Sequence, residues 1–406
     1  MKKISKIFLT LISILVFAAL TVAININLQM PSAFFSVQKS EIQFNSHLPM
    51  KIKPRLKTKK TIETLNSSEQ KYVDSYAADI TLFNIPVKPV IVNIVKRKLV
   101  VPSGDLFGIK IFTDGVVVVK TGPVETENGD AFPANEAKIH KNDVIKEIEG
   151  QKINSNEDLA SIIEKSDGKK LEAKIVRGNL IFDTFIKPVK SVGEKIFRAG
   201  IWVRDSSSGI GTITFLDPAT KFFGGLGHGI KGDNELLPLS HGKIMKTSIK
   251  KIIKSRENNI GELRGNFVGE PIGELISNTE HGVYGILNDI PEETNEKSIP
   301  VAFKQEIKIG DAKIISTIED GKPREYSIKI TSINFNKNDL TKNITISLTD
   351  EKLIEKTGGI VQGMSGSPVI QNGLLVGAIT NVFINNPKSG YAISAETMYE
   401  NNKVVS

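Results

Sequence analysis

The 406-residue sequence contains no cysteine. That absence excludes disulfide frameworks, thiolate metal sites, cluster ligation and a thiol nucleophile, so covalent chemistry falls to Ser, Thr, Lys or a carboxylate. Histidine is scarce, with five in the chain, which leaves few candidates for a base working near neutral pH. A one-sided charge is missing too. Lys and Arg number 53 against 45 Asp and Glu, a net charge of +8, and the two signs are interleaved along the chain as on a solvated surface, not clustered as in a nucleic-acid footprint. With 40% hydrophobic and 24% charged residues the composition is globular, and the length suits two or three domains.

No acidic residue interrupts the start of the chain. Ile7 to Ile24 is a nearly unbroken apolar run preceded by Lys2, Lys3 and Lys6. About 18 such residues at 1.5 Å each just span a hydrocarbon core of roughly 30 Å, and the lysines stay on the cytoplasmic side. Val22, Ala23 and the residues after them make a poor cleavage site, so 1–26 reads as a signal anchor in preference to a removed signal peptide. From Asn27 to about Asp74 the chain is rich in Ser, Lys, Gln and Asn without a sustained period, and carries a basic patch from Lys51 to Lys60. Residues 27–97 therefore read as an extracytoplasmic tether closing on a leading strand, Val90 to Val101.

Between 98 and 190 the punctuation is that of a small domain of strands and helices. Leu106-Phe107-Gly108-Ile109 is an apolar loop entering a strand, Asp114-Gly115 a turn, and Val116 to Val119 the next strand. Pro133 to Ala137 starts a short helix, and Val144 to Ile148 is a strand. Asn156 is placed to cap a helix whose Leu159, Ile162 and Ile163 share a face, and Leu171 to Arg177 closes the set. This order resembles a bacterial PDZ domain, Pro133 to Gly150 matching that family's characteristic stretch apart from two missing glycines in Ala137 to Asn142. The resemblance implies that Leu106, Phe107, Gly108 and Ile109 bind the carboxyl end of a peptide added as a strand to the sheet edge.

The sharpest signal is Gly363-Met364-Ser365-Gly366-Ser367-Pro368. Gly363 permits a tight turn, so that the N–H groups of Gly363 and Ser365 can converge on a developing oxyanion, and Gly366 leaves room at the hydroxyl. The G-x-S-G-x-P pattern is that of chymotrypsin-like serine proteases. Val369-Ile370, a turn at Gln371-Asn372-Gly373 and Leu374 to Phe383 form a supporting hairpin. A serine nucleophile needs a base. His47 lies in the tether and His140 in the PDZ-like module, and His241 and His281 look like turn residues, whereas His228 sits in the glycine-rich Phe222 to Ile230. A metal site of His228, Asp233 and His241 has no recognisable ligand spacing, so no metal or other cofactor is expected. The carboxylate that would orient the imidazole should lie between His228 and Ser365. Asp350, at the end of the alternating strand Asn343 to Thr349, is chosen over Glu351 and Glu355, which belong to a solvated helical turn.

Trp202 to Ser206, Gly209 to Thr212, Leu226 to Ile230 with Asp233, and Thr357 to Pro368 together resemble the peptidase of the stage IV sporulation protein B family, over roughly residues 75 to 406. The resemblance implies His228, Asp350 and Ser365 as the catalytic triad. It departs at Thr380-Asn381-Val382-Phe383, where the family reads T-H-V-F, and at Ser394 to Met398. It also implies a self-processing, membrane-associated serine endopeptidase of an endospore-forming bacterium, exported to the space between forespore and mother cell, where it cleaves a regulatory membrane protein. The expected architecture is mainly β: an N-terminal transmembrane or signal helix, a PDZ-like α/β module at 98–190 and a chymotrypsin-like double β-barrel at 191–406. The alternative is a catalytically silent PDZ-type scaffold of the cell envelope.

Overall fold

A computed structural model describes residues 2–44, 49–55, 74–178, 180–232, 235–290, 297–334 and 340–400. His47, Asp233 and the second half of the basic patch lie outside the described residues. The apolar run forms helix α1, Lys2–Gln29. Its window Leu9–Gln29 is long and apolar enough to cross a membrane, and only 6% of it is buried within the protein.

The stretch read as a tether is folded. Strands β1 (Ala33–Ser36), β2 (Ile42–Gln43), β3 (Met50–Pro54), β4 (Asp74–Leu82) and β5 (Ile85–Ile94) make one five-stranded sheet in the order β1-β5-β4-β3-β2. Its core holds Phe34, Met50, Ile52, Ala78, Ile80, Val90 and Val92, together with Ile26 of α1. What reads as a lysine patch is partly a two-residue alternation: Met50 and Ile52 point inward and Lys51 and Lys53 outward. The expected strand Val90 to Val101 is split, with β6 (Leu99–Pro102) separate from β5. Arg97 in the break makes a bidentate pair with Glu306 at 2.5 and 2.9 Å.

Two six-stranded barrels follow. The first is a ring of β7 (Leu106–Thr121), β11 (Ile201–Asp217), β12 (Phe222–Gly225), β13 (Leu239–Ile253), β14 (Glu262–Thr279) and β15 (Gly282–Leu287). It closes through the pairs β7–β13, β13–β14, β14–β15, β15–β12, β12–β11 and β11–β7. Phe107, Ile109, Ile111, Phe223, Ile244 and Val283 fill it. The second is a closed barrel of β16 (Gly310–Thr317), β17 (Pro323–Ile333), β18 (Ile344–Leu348), β19 (Pro368–Gln371), β20 (Leu374–Phe383) and β21 (Asn386–Ser394). Its interior is β-branched, with Ile314, Ile328, Ile330, Ile344 and Ile346 fully screened from water, as suits residues packed on a pleated surface. Helix α4 (Glu351–Thr357) precedes β19, and α5 (Ala395–Glu400) ends the described chain.

The PDZ-like module is inserted into the first barrel. Asp114-Gly115 is not a hairpin turn: β7 runs straight through it, with Gly115 at φ +98°. The first half of β7 lies in the barrel wall, and its second half joins β8 (Val144–Ile148), β9 (Leu171–Arg177) and β10 (Leu180–Ile186). Strand β11 returns the same way, pairing Trp202 with Lys120 in the module and Gly209 with Ile109 in the barrel. The expected boundary at 190/191 therefore does not coincide with the division of the sheet, because β7 and β11 each serve both units. Pro133–Glu136 forms the single-turn α2, and α3 is Asn156–Lys165. The cap of α3 is Ser155, one residue earlier than expected, in a reciprocal capping box with Asp158. Leu159 and Ile163 are buried in the module core and Ile162 lies half-buried at its margin.

Candidate active site

Ser365 lies on the loop between α4 and β19, and strand β11 holds that loop from beneath. Thr212, with no exposed surface, donates its hydroxyl to the Gly363 carbonyl at 2.7 Å and its N–H to the Ser365 carbonyl at 2.9 Å. Thr214 donates to the Gly366 carbonyl at 2.7 Å. Gly366 sits at φ +97°, and a Cβ there would stand 2.0 Å from the Thr212 carbonyl, so only glycine fits.

The orientation of two peptide planes follows from their carbonyls. Leu263 N–H donates to Gln362 O and Ser367 N–H to Met364 O, both at 2.9 Å. A trans peptide carries its C=O and N–H on opposite sides. Fixing these carbonyls turns the N–H groups of Gly363 and Ser365 the other way, and neither has an acceptor among the described residues. Two unpaired donors beside a serine hydroxyl are what an oxyanion requires.

His228 follows β12, the third strand of the first barrel in chain order. It shares with Gly363, Ser365 and Thr380 the lining of a cavity of about 760 Å³ between the two barrels. Its Nδ1 lies 3.0 Å from the Gly229 carbonyl. A carbonyl only accepts, so Nδ1 carries the proton and Nε2 is left as the basic nitrogen. Burial lowers the imidazole pKa from its ordinary value, the bond to Gly229 opposes that shift, and the charge of Lys231 adds to it. The Ser365 hydroxyl donates to the Thr380 carbonyl at 2.8 Å, so in this conformation it is turned away from any proton acceptor on the ring.

Asp350 is elsewhere. It caps α4, its carboxylate accepting the Leu353 N–H at 2.9 Å, and it is not among the residues lining the cavity. The expected triad is therefore not assembled: a strand ending in Asp just before an amphipathic helix gives its carboxylate to the helix's free N–H groups. Leu106, Phe107, Gly108 and Ile109 are likewise not a ligand loop. They lie inside β7, paired on one edge with β11 and, from Phe107 to Ile109, on the other with β13, and they are buried, Leu106 against the second barrel's core and Phe107 and Ile109 in the first's. No backbone is left for an added strand, and of the four only Ile109 lines the cavity that holds His228 and Ser365. His241 stacks on Phe112 at 4.4 Å, and among the described residues no group of His, Asp and Glu is placed to hold a metal ion.

Residues that sequence reasoning passed over are polar and sit within strands. Asn278 of β14 accepts the Ile230 N–H at 2.8 Å and donates to the carbonyls of Ile230 and Leu237 at 2.9 and 3.0 Å, pinning the segment just after His228. Thr212 and Thr214 do the same for the serine loop. Thr212 ends the Gly209 to Thr212 motif but had no role assigned to it, and the only sequence signal of Asn278 and Thr214 was a polar residue at an inward strand position.

The sequence profile of the SpoIVB peptidase S55 family matches residues 195–399. No curated protein matches the chain. Among solved structures, the PDZ domain of the SdrC-like protein from Listeria monocytogenes is 23% identical, covering 22% of this chain and 87% of that one, with a TM-score of 0.19. The active form of the Rv3671c protease from M. tuberculosis is 13% identical, covering 48% and 73%, with a TM-score of 0.29. The HtrA-type protease AlgW with a decapeptide is 16% identical, covering 48% and 52%, also at 0.29. These superpositions are partial, and the double barrel stands on its own strand pairing.

Proposed function

The chain belongs to the SpoIVB peptidase S55 family, and from that premise we propose that it is a membrane-anchored, extracytoplasmic serine endopeptidase in which Ser365 is the nucleophile and His228 the base. The observation that carries the reading is the meeting of Ser365 and His228 on one cavity, beside the unpaired N–H groups of Gly363 and Ser365. Rotation about the Ser365 side chain releases its hydroxyl from Thr380. The oxygen then attacks the scissile carbonyl as its proton passes to Nε2 of His228. The ring returns that proton to the leaving amine, and a water repeats the sequence to free the acyl group. The Gly229 carbonyl holds the ring's other N–H, the part that Asp350 was expected to play.

The peptide-binding surface belongs to the other end of β11. Residues Ile201–Arg204 pair with β7 on one side, and no strand among the described residues pairs with their other edge. Ile201 and Val203, with Ile162 of α3, line the margin of the module core half-buried, a groove suited to an added strand. The finer biology rests on the family resemblance: self-processing, then cleavage of a membrane-bound regulator in the space between forespore and mother cell.

A fluorophosphonate probe tests the chemistry. Wild-type protein should be labelled at Ser365, and Ser365→Ala should lose labelling and several orders of magnitude of proteolysis with its thermal unfolding unchanged. A wild-type chain that resists the probe would favour the silent scaffold, for which the hydroxyl's bond to Thr380 would be a permanent state.

A further inference from the structure

The five-stranded sheet is docked on the end of α1, and the contacts fix its direction. Asn27 donates to the Val87 carbonyl, Lys88 donates to the carbonyls of Asn27 and Met30, and the Ile91 N–H donates to Ser32 O. As the partner advances along β5 from 87 to 91, the residue it meets advances from 27 to 32. Strand β5 therefore runs outward in the same sense as α1, and its beginning points back along the helix.

At that beginning is the two-residue turn Phe83-Asn84, closed by the pair Leu82–Ile85. Phe83 and Ile85 are each 66% exposed. Phe83 is held at φ +50°, a left-handed conformation in which Gly, Asn or Asp would serve the turn better. An exposed aromatic in that place gains nothing from water. From Lys88, level with the last carbonyls of α1, three strand steps of about 3.3 Å bring the chain about 10 Å back at Ile85. That is the depth at which interfacial segments bury their apolar groups beneath the headgroups. The outer side of α1 from that depth to its end is also apolar, with Leu20 55%, Ile24 58% and Leu28 79% exposed.

We propose that the Phe83-Asn84-Ile85 hairpin tip is a second membrane contact, inserted beside α1 into the headgroup and upper acyl region of the outer face of the bilayer. The proposal rests on the reading of α1 as a retained anchor. Its occupant is lipid because the apolar tip continues the apolar surface of a helix long enough to span. The tip fixes the sheet against the membrane and so sets the standing orientation of the folded part.

The test uses the full-length chain with Trp202→Phe and Phe83→Trp, reconstituted in vesicles of phosphatidylcholine and phosphatidylglycerol whose acyl chains are brominated near the headgroup. The expected result is blue-shifted emission, quenched several-fold more strongly than that of Trp202 in the otherwise unaltered chain. Ile85→Trp in the same background reports the same depth if a tryptophan at 83 disturbs the turn. Chains that float with the vesicles while both probes emit as in water, unquenched, overturn the inserted tip alone. Chains that do not float with the vesicles overturn the anchor, and the tip with it.

Discussion

His228 is half-buried at the cavity wall within a glycine-rich segment, and desolvation there, more than any partner, determines its proton affinity. Burial and the nearby Lys231 both disfavour the imidazolium. The ring must be neutral to act as a base, so activity is lost as pH falls through its pKa, and that pKa is displaced below the ordinary 6.5. Lys231→Gln removes a positive charge and frees the carboxylate of Glu280, its partner at 2.7 Å. Both changes favour the imidazolium, so the acid limb of kcat/KM should move to higher pH. A limb that stays in place would mean that a group other than His228 titrates there. At this scale the sequence was informative where glycine surrounds a reactive side chain, as at His228 and Ser365. It was mute at Asn278, Thr212 and Thr214, whose roles depend on loops brought to them from far along the chain.

Among the elements, α4 shows how one residue can satisfy two readings. Asp350 ends a strand ahead of Ser365, where a triad carboxylate could stand, and the same position is a helix N-cap. Asparagine caps about as well as aspartate, whereas alanine costs about 1 kcal/mol. Asp350→Asn should therefore keep both stability and most of the turnover, and Asp350→Ala should lower the unfolding free energy by about that amount. A loss of about 10⁴-fold in kcat for Asp350→Asn, as expected of a carboxylate that orients the base, would show that this side chain leaves α4 and reaches His228 in the working enzyme. The strands were legible wherever apolar and polar residues alternate, as from Asn343 to Thr349, where β18 forms. They were misread where the outward positions are lysine, or where a glycine such as Gly115 marks a bend within one strand and not the end of it.

Across the whole molecule, the module interrupts a barrel hairpin whose strands are already in register beneath it. Phe112 faces Ser206 where β7 and β11 enter the barrel. Replacing residues 113–205 by Asn-Gly joins Phe112 to Ser206, already a pair, as an ordinary two-residue hairpin. The shortened chain should fold, still react with a fluorophosphonate at Ser365, and bind no peptide carboxyl ends. Aggregation of that chain, with no labelled species, would show that the module is structurally inseparable from the barrel. The double barrel and the PDZ-like module were each recognisable from sequence, but not their nesting, because nothing local distinguishes a strand shared by two sheets from two strands joined by a turn.

That nesting has a consequence in time. Ile111 pairs with Ser207, so the first half of a hairpin waits for roughly a hundred further residues before its mate exists, and non-local pairings of this kind are slow to form. During synthesis the module can collapse on its own while the barrel half of the first strand stays without a neighbour. The cleft that would cut other chains is thus completed only after most of the polypeptide has emerged, which postpones activity until late in biogenesis.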